Sequence, residues 1–265
     1  MRSSSDARRL DAVVAAQAGL TRSRARALIL AGKVRVDDVP ATKPGAAVRA
    51  GATVHVAEAP RFVSRGGDKL EGALDAFGLD VRGAEALDIG ASTGGFTDVL
   101  LQRGAARVTA LDVGYGQLAW KLRSDPRVVT VERTNFRTLP DEAFPGGFDL
   151  MVVDASFISL RTIVARAVAY LRPAGTIVAL VKPQFEAGRG RIGGGGVVRD
   201  PVVHASVLRE VRDAIATSGL TVIGAALSPL RGPAGNVEFF FRLARTGTAV
   251  GDEAFDALVA EAHRP

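Results

Sequence analysis

The sequence predicts an α/β protein whose main domain is an open, mostly parallel sheet covered by helices on both faces. Two observations support this fold class: short, nearly continuous apolar segments recur after residue 68, and helical patterns lie between several of them. Buried parallel strands are typically unbroken apolar runs, whereas strands with one wet face alternate. The length of 265 residues allows one large domain and a small one in front of it.

Residues 1–60 are predicted to form the small domain, which is of the α+β type. They carry ten Arg or Lys against five Asp or Glu, whereas the rest of the chain is nearly neutral. Two helical patterns, separated by Gly19 and the candidate N-cap Thr21, are followed by alternating segments at 34–36 and 53–56. The arginines of the second helix lie largely off its apolar face, so we predict that they are free to meet phosphate.

Residues 61–67 show little periodicity and are predicted to be an interdomain linker, after which the main domain extends over 68–265. Its seven predicted strands are 84–88, 108–112, 128–131, 149–154, 176–182, 221–225 and 237–243. Helices are predicted near 95–103, 116–124 and 159–172. The connection between the last two strands is too short for a crossover helix, so these strands should run antiparallel.

A glycine-rich loop, residues 88–95, follows the first strand of the sheet and precedes a helix. Its glycine spacing is not the G-x-G-x-x-G of dinucleotide folds. Glycines here let a ligand approach the backbone, and open sheets bind ligands at the carboxyl ends of their strands. Asp112 ends the second strand, where an acid accepts hydrogen bonds from ribose hydroxyls. The alternatives are a tight turn without ligand for the glycines and a solvated acid for Asp112.

Three charged residues lie in or at the ends of apolar strands, namely Asp154, Lys182 and Glu238. A charge in such a place is costly unless it is paired, and these opposite charges can pair with one another. A lysine can orient a hydroxyl or take its proton during group transfer. Taken singly, Asp154 could instead be a helix or turn cap, and Glu238 an edge-strand acid facing water.

The segment from Arg8 to Val48 resembles the S4-type RNA-binding domain, in which a helix pair and a β-hairpin present basic residues to structured RNA. Asp37 and Asp38 stand where the hairpin usually has Asn-Gly. Phosphate contacts would fix the protein on RNA while carrying little sequence information. The residues predicted to make them are Arg8, Arg9, Arg22, Arg24, Arg26, Lys33 and Arg35.

The main domain resembles class I S-adenosylmethionine-dependent methyltransferases in its glycine loop and its antiparallel last strand. Within that class it is similar to the FtsJ-type ribose 2′-O-methyltransferases and to their TlyA family of haemolysin-like rRNA methyltransferases. The matching segments are Ser64-Arg65-Gly66-Gly67-Asp68-Lys69-Leu70, Asp154-Ala155-Ser156-Phe157, Lys182-Pro183-Gln184-Phe185-Glu186 and Asn236-Val237-Glu238-Phe239-Phe240. Thr93 stands where many FtsJ-type members have proline, in agreement with the TlyA-like branch.

The resemblance implies a seven-stranded methyltransferase fold that uses S-adenosylmethionine to methylate ribose 2′-hydroxyls of rRNA, with cytidines of 16S and 23S rRNA as targets. It implies a catalytic tetrad in which Lys182 acts on the hydroxyl, formed by Lys69, Asp154, Lys182 and Glu238. The residues expected to bind the cofactor are Asp88, Gly90, Ser92, Gly94, Gly95, Asp112, Asn135 and Asp154. Arg65 and Phe157 are expected to contact RNA, and for Phe157 a place in the core is the alternative.

Composition narrows the alternatives. The chain has no cysteine, which excludes disulfides and a cysteine nucleophile, and its three histidines are too scattered to predict a metal site. The first residues lack the apolar stretch of a signal peptide, so we expect a cytoplasmic monomer that docks on ribosomal subunits, without a membrane or metal. The competing functions are a membrane-active haemolysin and a ribosome-assembly factor without catalytic activity.

Overall fold

The computed structural model describes residues 7–57 and 60–264, and it divides the chain into two compact units, residues 1–60 and 61–265. Residues 1–6, 58–59 and 265, which fall at or near the ends of the predicted domains, lie outside the described residues.

The first unit packs two helices against short strands. Its elements are β1 (Arg8–Arg9), α1 (Leu10–Gln17), α2 (Arg22–Leu30), β2 (Val34–Val36), β3 (Val39–Pro40), β4 (Ala47–Val48) and β5 (Val54–Val56). Thr21 caps α2 as predicted, because its hydroxyl accepts a hydrogen bond from the Arg24 amide. Asp37 and Asp38 both have positive φ, 48° and 62°, which is the backbone that a two-residue hairpin turn of type I′ requires.

The second unit is built on a seven-stranded sheet that confirms the predicted fold class. Its strands are β6 (Glu85–Ile89), β7 (Arg107–Leu111), β8 (Val128–Val131), β9 (Phe148–Val153), β10 (Leu171–Val181), β11 (Thr221–Leu227) and β12 (Phe239–Ala244). Their order is β11-β12-β10-β9-β6-β7-β8, and β12 runs antiparallel to both of its neighbours. The remaining pairs are parallel, so the carboxyl ends of β6, β7, β9 and β10 meet at one edge.

Helices cover both faces of this sheet. They are α3 (Arg65–Ala76), α4 (Gly95–Gln102), α5 (Trp120–Arg123), α6 (Leu160–Ala167), α7 (Pro183–Glu186), α8 (Pro201–Ala216) and α9 (Asp252–Ala262). Apolar residues of α3 and α4 pack on one face, and those of α6, α8 and α9 pack on the other. Among residues 7–57 and 60–264, no helix combines the length and apolar character needed to cross a membrane.

The structure differs from the sequence prediction in the segment 61–67. Phe62 is buried at 3% exposure in the core under α3 and α4, and the Val63 amide donates to the Asp98 carboxylate. A Cβ on Gly67 would lie 2.3 Å from the Phe62 side chain, so glycine is required for this packing. Residues 61–67 therefore belong to the second unit, and part of them forms the first turn of α3.

Candidate active site

The glycine-rich loop after β6 forms part of a cavity at the carboxyl edge of the sheet. This cavity has a volume of about 360 Å³, and its wall includes Lys69 and Arg65 from α3 together with Asp154 from the end of β9. Gly90 has a φ of 86°, and a Cβ there would lie 2.5 Å from the carbonyl oxygen of Asp154. Only glycine therefore allows the loop to pass this close to the neighbouring strand.

A second cavity, of about 390 Å³, lies next to the first and shares three wall residues with it, Gly90, Ser92 and Asp154. Its other walls include Asp112 after β7 and the exposed Asn135 after β8, together with apolar side chains such as Ile163. The two oxygens of Asp112 accept hydrogen bonds from the amides of Ser92, at 2.8 Å, and Gly114, at 2.6 Å. Each oxygen keeps a further lone pair for a ligand.

Two of the predicted cofactor residues line neither cavity. Asp88 is fully buried beneath the loop, where one carboxylate oxygen accepts hydrogen bonds from the Thr97 amide and hydroxyl. The other oxygen, Oδ1, has no partner among the described residues. Burial, together with the carboxylates of Asp154 and Asp112, raises the pKa of Asp88 to about 7. Gly94 instead shapes the turn, since its φ is 95° and it packs against leucines of the adjoining loop and α5.

The four residues of the predicted tetrad form two ion pairs. Lys182, directly after β10, places Nζ 2.5 Å from Asp154 Oδ1 and donates to the hydroxyl of Ser156 at 3.1 Å. The Lys182 side chain is only 10% exposed. The two opposite charges thus form a close ion pair, and the carboxylate partner, Asp154, lines the first cavity.

The second ion pair joins two residues that are far apart in the sequence. Lys69 Nζ in α3 lies 2.5 Å from Oε2 of Glu238, which directly precedes β12, and both residues are buried. Gly232 lies against the other oxygen of Glu238, where a Cβ would approach it to 2.6 Å. Val181, the last residue of β10, pairs with Phe239, the first residue of the antiparallel strand β12. Lys182, which follows Val181, and Glu238, which precedes Phe239, are therefore neighbours across the two strands. The two pairs therefore lie side by side.

The loop that follows Asp154 carries an exposed aromatic ring. Phe157 is 91% exposed and has a φ of 66°, which is rare for a bulky residue, so it does not belong to the core. Its ring lies 5.2 Å from that of Phe185 in α7. Glu186 fixes the far end of the loop, because its buried carboxylate accepts hydrogen bonds from the Ser159 hydroxyl and the Leu160 amide.

Sequence reasoning missed several residues of this region. Ser64 and Pro233 line the first cavity and Gln117 lines the second, while Ser156 holds Lys182. Ser64 and Ser156 lie inside the segments singled out above, which is the signal that could have identified them. Gln117 and Pro233 lie in loops whose approach to the cavities depends on the whole sheet.

The seven predicted RNA contacts of the first unit are exposed, as an RNA interface requires, but three of them already bind groups of the unit itself. Arg9 and Arg22 are both paired with Asp11, and Arg35 donates to the carbonyl oxygen of Asp38. A buried carboxylate that the sequence analysis did not predict thus holds Arg22 of the second helix, whose side chain is still exposed. The other predicted contacts, also exposed, are Arg8, Arg24, Arg26 and Lys33.

Two of the three histidines are neighbours outside the site. The Nδ1 of His204 in α8 lies 2.9 Å from the Nε2 of His263 at the end of α9. Burial, and to a smaller extent the neighbouring His263, lowers the pKa of His204 to about 4. In the part of the chain that the structure describes, no group of three or more His, Asp or Glu residues is arranged to hold a metal ion.

Comparisons with known proteins agree with this architecture. The FtsJ-like methyltransferase family matches residues 62–245, and the S4 domain family matches residues 8–54. The 16S/23S rRNA (cytidine-2′-O)-methyltransferase TlyA of Mycobacterium tuberculosis is 54% identical over 87% of this chain and 87% of its own. Hemolysin A of Brachyspira hyodysenteriae is 41% identical over 87% of this chain and 97% of its own. A hemolysin-named structure from Streptococcus thermophilus, 41% identical, covers 97% of this chain and 96% of its own with a TM-score of 0.75.

Proposed function

Because the chain belongs to the FtsJ-like methyltransferase family, we propose that it transfers methyl groups from S-adenosylmethionine to ribose 2′-hydroxyls of ribosomal RNA. The observation that carries this proposal is the pair of lysine-carboxylate contacts at the carboxyl edge of the sheet. Two adjoining cavities leave room there for a cofactor and for an acceptor nucleotide. Cytidines of 16S and 23S rRNA are the proposed targets, after the name of the mycobacterial relative.

The proposed roles of the tetrad follow from its contacts. Lys182 binds and orients the 2′-hydroxyl and, in its neutral amine form, accepts the hydroxyl proton, since a neutral alcohol is a poor nucleophile. Asp154 and Ser156 hold the Lys182 amine in one position. Lys69 lines the first cavity, and its pairing with the buried Glu238 keeps both side chains fixed without exposing a free charge.

The cofactor residues of the proposal fit S-adenosylmethionine, which supplies a methyl group on a positively charged sulfonium. Gly90, Ser92, Asp112 and Asn135 line the second cavity, and Asp112 has oxygens available for ribose hydroxyls. Oδ1 of Asp88 has no partner among the residues that the structure describes, and the ionised carboxylate places a negative charge beneath the glycine loop. A buried carboxylate of this kind favours a cationic ligand.

RNA is proposed to bind through both units. The exposed basic residues of the first unit contact phosphates, and Arg65 does so at the mouth of the first cavity. Methyl transfer into a cleft requires the target nucleotide to leave its stack, and Phe157 offers an exposed ring for its base. This use explains why a phenylalanine occupies an exposed position with positive φ.

The test of the proposed function is to map the product. Purified protein, radiolabelled S-adenosylmethionine and unmethylated 30S or 50S subunits are incubated, and the rRNA is hydrolysed with alkali. A 2′-O-methyl group blocks cleavage at its own position, so a label retained in alkali-resistant dinucleotides is the expected result. Label that appears only in mononucleotides would place the methyl group on a base and contradict the proposal.

The raised pKa of Asp88 predicts a pH-dependent cofactor affinity. A cation stabilises the ionised carboxylate, so the affinity for S-adenosylmethionine should rise by up to about tenfold between pH 6 and pH 8. Without cofactor, the folded carboxyl holds its proton more tightly than the unfolded one. The stability that it contributes is therefore full below the unfolded pKa of 3.8 and is lost as the pH rises through about 7.

Calorimetric titration at several pH values measures this effect. Asp88→Asn should bind the cofactor more weakly and with little dependence on pH. The matched control is Asp80→Asn, which removes an exposed carboxylate and should leave the pH profile unchanged. Equal affinities of the unaltered protein at pH 6 and pH 8 would show that the charge of Asp88 does not act on the cofactor.

A further inference from the structure

Asp11 in the first turn of α1 is a buried carboxylate in the middle of a basic surface. It is 2% exposed, and its Oδ1 accepts hydrogen bonds from Arg9 Nε at 3.2 Å and Arg22 Nη2 at 3.1 Å. Its Oδ2 accepts a second hydrogen bond from Arg9, at 2.9 Å. One carboxylate therefore holds two guanidinium groups side by side.

The two arginine side chains are held by Asp11, yet much of their surface is exposed to solvent. Their side chains are 56% and 61% exposed, whereas that of Asp11 is 3% exposed. A guanidinium has five N–H donors, of which Arg9 uses two and Arg22 one on Asp11. The Arg9 group also lies over Gly45, where a Cβ would approach its Nη1 to 3.2 Å. Donors remain available to an incoming anion.

The charges at this cluster do not cancel. Two positive groups meet one negative group, and the hydrogen bond from Arg9 keeps the pKa of Asp11 well below its usual range despite burial. The cluster thus carries a net positive charge near neutral pH. Paired guanidinium groups match the oxygens of a phosphate, and a side chain that is already ordered loses less entropy on binding.

We propose that Asp11 is a positioning residue that holds Arg9 and Arg22 as a rigid two-pronged receptor for one backbone phosphate of RNA. This inference rests on the proposed function, since it takes RNA as the partner of the first unit. A positioned receptor and a merely positive surface predict different effects of removing Asp11. Removal of Asp11 makes the protein more positive, yet it should weaken the binding of RNA.

The test compares Asp11→Asn with Asp38→Asn. Both changes add the same charge to the first unit, but Asp38 is exposed and no side-chain bond to its carboxylate occurs among the described residues. We expect Asp11→Asn to weaken binding to 50S subunits by about five- to tenfold in a filter assay. The slope of log affinity against log salt should become shallower by about one, the value for one lost phosphate contact. Asp38→Asn should bind as tightly as the unaltered protein, or more tightly.

Further variants separate the possible failures. Arg9→Ala should weaken binding, and the double variant with Asp11→Asn should lose little more, because both remove the same contact. If Arg9→Ala and Arg22→Ala leave the affinity unchanged, the proposed RNA contact of this surface is wrong. If they weaken binding while Asp11→Asn strengthens it, only the positioning role is overturned.

Thermal unfolding checks that each variant is folded. Should Asp11→Asn not fold, Arg22→Lys carries the test, because it keeps the net charge and the Arg9 contacts but replaces the planar fork with a single ammonium. Weaker binding at the same charge is then the expected result. An unchanged affinity and salt slope would overturn the proposal.

Discussion

Replacement of Lys182 with alanine is expected to lower the rate of methyl transfer by about 10²–10⁴-fold, the range for loss of a group that acts on the transferred proton. The change removes the amine that contacts the Ser156 hydroxyl and Asp154, a residue in the wall of both cavities. The second cavity is not lined by Lys182, so the affinity for S-adenosylmethionine should change little. Single-turnover methylation of 50S subunits, together with calorimetric titration of the cofactor, measures both effects.

Two further substitutions sharpen this prediction. Lys182→Arg keeps the positive charge beside Asp154, but a guanidinium does not give up its proton, so the variant should also be inactive if the amine accepts a proton. Lys121→Ala serves as the control and should retain the full rate, because this half-exposed lysine pairs with Asp98 and lines neither cavity. Full activity of Lys182→Ala would remove the lysine from the reaction altogether.

Replacement of Gly90 with alanine is expected to lower the affinity for S-adenosylmethionine by about 100-fold or more. The new Cβ would lie 2.5 Å from the carbonyl oxygen of Asp154, which is backbone and cannot rotate away. Gly90 and Asp154 line both cavities, so any shift that relieves this contact moves their shared wall. Calorimetric titration of the cofactor is again the measurement.

A matched control separates this clash from backbone strain. Gly83 precedes the other end of β6 and has a φ of 74°, but a Cβ there would meet nothing within 4 Å. Because a residue with a side chain is strained at positive φ, Gly83→Ala should lower the stability by about 1–2 kcal/mol, and the same strain acts in Gly90→Ala. Gly83→Ala should nevertheless leave the cofactor affinity unchanged. Equal losses of affinity in the two variants would attribute the effect to destabilisation alone.

The sheet could be predicted from the sequence because its strands are buried on both faces. All seven predicted strands are present, and the antiparallel arrangement of the last two followed from the length of their connection. The boundaries were less accurate where side chains hold irregular backbone. The helix predicted near 116–124 is limited to Trp120–Arg123, because Asp112 and Glu132 bind the amides of Gly114 and Gly116 in a loop instead.

The candidate site was predictable only in part. Asp154 and Lys182 follow strands whose apolar pattern marks their ends, so the sequence placed them at the same edge of the sheet. Lys69 has no such marker, since its partner is far along the chain, and only the family resemblance pointed to it. The ion pairs of Asp11 were missed for a related reason. A charge pattern shows which residues lie on a helix face, but not which carboxylate is buried among them.

The bond between Lys69 and Glu238 joins residues that are 169 positions apart. A chain under synthesis cannot form it until β12 has emerged, and contacts of such long separation form late because a large loop must close first. The S4-like unit, in contrast, is complete within the first sixty residues and can fold early. The part proposed to bind RNA can therefore form before the part proposed to modify it, and a chain that ends before Glu238 lacks one ion pair of the proposed site.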